Sequence, residues 1–101
     1  MKLTMYVGCE YAPGQRTGFD FDVELSDIEM SSLASAYLNH EDVRIDFKNL
    51  RNYDERLYQK IRSFASDALD DEMGEDTIKT DRRVSWGDNV EDVFRRIIGQ
   101  K

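Results

Sequence analysis

Phe19-Asp20-Phe21-Asp22-Val23-Glu24-Leu25 runs directly into Ser26-Asp27-Ile28-Glu29-Met30-Ser31-Ser32-Leu33-Ala34-Ser35-Ala36-Tyr37-Leu38, and this passage decides the fold. In the first half, apolar and acidic side chains alternate with period two, so one face of a strand is dry and the other carboxylate-rich. Ser26 and Glu29 then stand in the spacing of a capping box, in which the hydroxyl and the carboxylate each satisfy a backbone N–H. Beyond them Met30, Leu33, Ala34, Tyr37 and Leu38 fall at i, i+3, i+4, i+7 and i+8, one stripe of a helix over 27–38. A strand thus feeds a helix, with a row of acids left in water.

Working outward, Leu3, Met5 and Val7 alternate with Lys2, Thr4 and Tyr6, which predicts a strand over 2–7. Gly8 to Gly18 reads as a long, mobile loop around Ala12-Pro13-Gly14, where proline presets φ and glycine accepts a positive φ, as a type II turn requires. With 19–25, the first strand makes an antiparallel hairpin. The alternation of Val43, Ile45 and Phe47 offers a third strand over 43–47, with an extended segment packed on the core as the alternative. A helix over about 52–70 follows, opened by Asn49 or Asn52, with Asp54 and Glu55 in its first turn. Its apolar stripe is Tyr53, Leu57, Ile61, Phe64, Ala65 and Ala68, and Gly74 stops it.

The acid-rich stretch 70–83 reads as a loop, with a short strand at 77–80 or 83–86. Asp88 or Asn89 opens a last helix over 89–98, striped by Val90, Val93, Phe94, Ile97 and Ile98 and closed by Gly99. Strands early and helices late, without regular alternation, predict an α+β fold in a single domain over residues 1–101.

The chain of 101 residues carries a net charge of −7. Residues 1–78 hold 8 basic and 17 acidic side chains, whereas 79–101 hold 6 and 4. An acidic body repels nucleic acid and anionic membranes, so direct binding to either is not expected. Arg82-Arg83 and Arg95-Arg96 read as cations placed near a helix C-terminus. The N-terminus has neither the apolar core nor the cleavage site of a secretory signal, and a single cysteine, Cys9, allows no internal disulfide, so a cytoplasmic location is expected.

Material for catalysis is sparse. Cys9 and His40 lie on different predicted loops, and a nucleophile needs its base within hydrogen-bond reach. Gly8-Cys9-Glu10-Tyr11-Ala12-Pro13-Gly14-Gln15-Arg16-Thr17 departs from a phosphate loop in spacing, places arginine where lysine belongs, and leads into a strand rather than a helix N-terminus. A calcium loop begun at Asp70 fails in register, with Gly74 fifth and Glu75 sixth. No cofactor, metal or catalytic residue is assigned.

These features predict a small, acidic, non-catalytic protein: an interaction or accessory module for a basic protein partner. Its candidate contact residues are Tyr11 and Arg16 on the loop, of types enriched in interface hot spots, and the row Asp20, Asp22 and Glu24. DNA mimicry by that row is a sharper version of the same idea. A ligand or carboxylate-based enzyme site near residues 9–18 is the alternative from another class. Leu57 and Phe64, a heptad apart, serve either as core or as the seam of a homodimer.

Overall fold

The computed structural model describes residues 1–38 and 46–99. In chain order it has β1 (Lys2–Ala12), β2 (Gln15–Glu24), α1 (Asp27–Leu38), a short 3-10 turn (Phe47–Asn52), α2 (Glu55–Met73), β3 (Thr80–Trp86) and α3 (Val90–Gly99). The three strands form an antiparallel sheet in the order β2-β1-β3, completing an α+β fold.

The register of β1 and β2 sets Leu3 opposite Val23, Met5 opposite Phe21 and Val7 opposite Phe19. Side chains directly opposite share a face. Leu3, Met5, Val7, Cys9, Phe21 and Val23 are buried together, and β3 adds half-buried Val84 and Trp86 at its edge. Met30, Leu33, Ala34 and Tyr37 of α1, Leu57, Ile61, Ala65 and Leu69 of α2, and Val90 and Phe94 of α3 close the same core. Every helix therefore packs on one side of the sheet. Thr4, Tyr6, Asp20, Asp22, Glu24, Arg83 and Ser85 on the other side are exposed.

The loop expected between residues 8 and 18 is instead strand. Pairing continues from Gly8↔Gly18 through Cys9↔Thr17 and Glu10↔Arg16 to Ala12↔Gln15, leaving only Pro13 and Gly14 as the turn. Gly14 has φ +72°, the conformation that the proline–glycine pair foretold. Cys9 is accordingly mid-strand and fully buried, its Sγ 3.5 Å from Met73 Sδ.

Two further expectations need correction. Helix α2 begins at Glu55 and its N-cap is Asp54, whose Oδ1 accepts from Leu57 N at 3.1 Å. Asn49 and Asn52 lie in the preceding 3-10 turn, and Tyr53 is exposed rather than part of the stripe. The third strand is Thr80–Trp86, which contains the short strand offered at 83–86 and not the one at 43–47. Of the 43–47 strand, residues 43–45 lie outside the described residues, as do Asn39 and His40, and at Phe47 the chain enters the 3-10 turn. In the expected α2 stripe Leu57, Ile61 and Ala65 are in the core, joined by Leu69, while Phe64 and Ala68 are half-buried against it.

The capping box forms as the spacing requires. Ser26 N donates to Glu29 Oε1 at 2.9 Å, and Glu29 N donates to Ser26 Oγ at 3.1 Å. Lys60 Nζ of α2 also donates to both Glu29 oxygens, at 2.8 and 3.1 Å, so one carboxylate caps α1 and ties it to α2. The Lys60 hydrogen bond, followed by that from Ser26 N, holds the Glu29 carboxyl below its ordinary value of 4.5. A carboxyl lowered by folding adds stability above that ordinary value and loses it as pH falls through the lower folded value.

Two outcomes follow for chemical denaturation. Phe21→Ala costs about 3–5 kcal/mol through the cavity it leaves, whereas Asp22→Ala, one residue away on the wet face, costs about 0.5 kcal/mol or less. Lys60→Met costs about 0.5 kcal/mol at pH 7, as expected of a half-exposed pair, and this difference closes as pH falls below 4.5.

Candidate interaction surfaces

The wet side of the sheet is built around Tyr6 on the central strand. Its neighbour across β2 is Asp20, and across β3 it is Ser85. The ring lies over Gly18, where a Cβ would meet the Tyr6 hydroxyl at 1.8 Å. Glycine there is what lets the ring lie flat along the sheet, an aromatic covering a strand glycine. Tyr6 keeps 41% of its surface exposed.

Asp20, Asp22 and Glu24 stand in a row on β2, roughly 6.6–7 Å apart along the strand. Their environments differ. Asp22 accepts from Thr4 Oγ1 at 2.7 Å, and Glu24 pairs with the N-terminal ammonium at 3.1 Å. Asp20 has no hydrogen bond or ion pair among the described residues and stands beside Tyr6.

Arg16, an expected contact residue, is exposed and also tied into the sheet. From β2 it reaches across β1 to β3, donating from Nη1 to Asp81 Oδ2 at 2.9 Å and from Nη2 to the Asp81 carbonyl at 3.1 Å. Arg83 binds the same carboxylate from Nε and Nη2, at 3.3 and 2.9 Å. The Arg83 hydrogen bond is the larger cause, and Arg16 a further one, that hold the Asp81 carboxyl below its ordinary value. Asp81 itself sits in a bulge where two residues of β3 oppose Cys9, and its φ of +47° is one that aspartate tolerates better than branched residues do. Arg16 is thus a strap across all three strands.

Tyr11, also expected at the interface, lies at the bulged, turn end of β1, its hydroxyl 3.4 Å from Gln15 Oε1. Five residues of strand separate it from Tyr6, about 17 Å. The structure therefore sets Asp20 beside Tyr6, with Asp22 and Glu24 farther along β2; the Arg16 guanidinium and the Tyr6 ring both reach over Gly8, and Tyr11 stands at the far end.

Two concavities among the described residues lie away from residues 9–18. One groove of about 440 Å³ runs beside β3, between Arg82–Trp86, the start of the 3-10 turn and Tyr58 and Arg62 of α2. A second, of about 350 Å³, is bounded by Lys2, Thr4, Asp20, Gly87, Asp88 and Val93. Arg82-Arg83, expected near a helix C-terminus, are in β3, and the strand rather than a helix dipole determines their setting. Among the described residues no three metal-ligating side chains come together, and no helix is long and apolar enough to cross a membrane. Comparison with protein families, curated proteins and solved structures found no match.

Proposed function

We propose that this chain is a non-catalytic binding module whose open sheet face receives a basic protein partner. The observation that carries the reading is the one-sided packing of the sheet: all three helices lie on one face and Tyr6, Asp20, Asp22 and Glu24 stand exposed on the other. A tyrosine supplies large, rigid contact area at small entropic cost, and such residues dominate interface energies. The carboxylates beside it steer a cationic partner and set its register. Asp20 enters that contact without an internal partner to give up, whereas Asp22 must share with Thr4.

Two features support binding over chemistry. The lowered carboxyls, Glu29 and Asp81, are both explained by their own structural ion pairs. Neither is poised for proton transfer near neutral pH. The acids on β2 are in open solvent, without the burial that tunes a carboxylate for acid–base work.

Affinity capture on immobilised protein, from the extract of its native cell, tests this reading. A bound basic protein is expected at about 50 mM salt and is largely released at about 500 mM, where the Debye length falls to roughly 4 Å. Tyr6→Ala and the combined Asp20→Asn, Asp22→Asn, Glu24→Gln variant each reduce recovery at least tenfold, about 1.4 kcal/mol. Recovery unchanged by salt and by both variants contradicts it.

A further inference from the structure

The groove beside β3 has the opposite polarity from the rest of the molecule. Its rim carries Lys48, Arg62, Arg82 and Arg83 against one acid, Asp46, in a chain of net charge −7. Arg83 shares the Asp81 carboxylate with Arg16. Lys48, Arg62 and Arg82 have no carboxylate partner among the described residues; Arg82 donates to Ser66 Oγ at 3.3 Å, and Arg62 lies 5.6 Å from the Tyr58 ring centroid. Three cations drawn from three separate elements thus surround one cleft.

The floor is aromatic and preformed. Phe47 stacks on Tyr58 with centroids 5.0 Å apart and meets Trp86 edge-on at 6.0 Å. Along one wall runs β3, which among the described residues is paired only through β1, on the side away from the groove. An outer strand edge presents N–H and C=O groups at intervals that match an extended peptide, the geometry of strand addition. At about 440 Å³ the cleft lies in the usual size range of binding clefts, roughly 300–1,000 Å³.

We infer that this groove binds a short, extended, acidic segment of another protein. Its carboxylates meet Arg62, Arg82 and Lys48, an apolar side chain rests on Phe47 and Tyr58, and its backbone follows β3. A polynucleotide fits less well, because the acidic body around so small a basic cleft repels a long anion. The inference uses none of Tyr6, Asp20, Asp22 and Glu24, so either reading can fail without the other.

Selection from a displayed library of random decapeptides, on the intact chain, provides the test. Enriched peptides are expected to be richer in Asp and Glu than the library. Synthetic copies should change Trp86 fluorescence, Trp86 being the chain's single tryptophan, and lose at least tenfold in affinity to an Arg62→Glu, Arg82→Glu variant that retains its circular dichroism. Tyr6→Ala should bind them unchanged. The inference is overturned if no peptide is enriched, if enriched peptides are not acidic, or if the charge-reversed variant binds them equally. It is also overturned if a single-stranded oligonucleotide binds the groove more tightly than any selected peptide. Self-association in sedimentation velocity that Arg62→Glu, Arg82→Glu abolishes would likewise overturn it, assigning the cleft to a second copy of this chain.

Discussion

Pairing of β1 with β2 in the register that sets Met5 against Phe21 and Thr4 against Asp22 governs everything else in the molecule. A strand shifted by one residue presents its other face throughout, so the register is a choice between two opposite surfaces. In the observed one, Leu3, Met5, Val7, Phe21 and Val23 are buried, each stabilising by about 1.5–3 kcal/mol for a fully covered side chain. The slipped alternative turns Asp20, Asp22 and Glu24 inward, at several kcal/mol for each unpaired charge. No surface ion pair among the described residues approaches that difference. The three helices then have a single apolar face to cover, and they leave the other to water.

The same division organises the charges. Acids on β2 face outward from the sheet, while Lys48, Arg62 and Arg82, which have no carboxylate partner among the described residues, meet at the cleft between β3, α2 and the 3-10 turn. A Debye length of about 8 Å in physiological salt lets the two regions act as separate patches rather than one averaged field. Arg16 and Arg83 stand between them and share the one Asp81 carboxylate. A molecule of net charge −7 can in this way offer two surfaces of contrasting sign, one open and one concave.

Sequence patterns were legible wherever local chemistry and tertiary packing agree. The β2 alternation, the Ser26–Glu29 box and the α1 and α3 stripes each appear at the expected positions. They were misleading at glycines. Gly8 and Gly18 look like loop residues, yet they are strand positions whose side-chain room is taken by neighbours: Tyr6 lies on Gly18, and Arg16 passes within 3.8 Å of a Cβ on Gly8. A bulge blurred the bounds of β3, read as a short strand at 77–80 or 83–86, since the extra residue at Asp81 and Arg82 breaks the two-residue period ahead of Val84 and Trp86. The cleft was invisible because Phe47, Tyr58, Arg62 and Arg82 come from elements far apart in the chain, and only the fold brings them together.

Thiol reactivity reads the two faces of the sheet in one assay. Cys9, the chain's single cysteine, is fully buried on the dry side, and Thr4 is exposed on the wet side, five positions along the same strand. In a Thr4→Cys variant at neutral pH, a water-soluble disulfide reagent should modify one thiol within minutes. The other should react only as fast as the chain opens, a process limited by its folding stability. Two fast thiols, or a fast Cys9 in the unaltered protein, would show that the inner face is not dry and would contradict the register on which the structure rests.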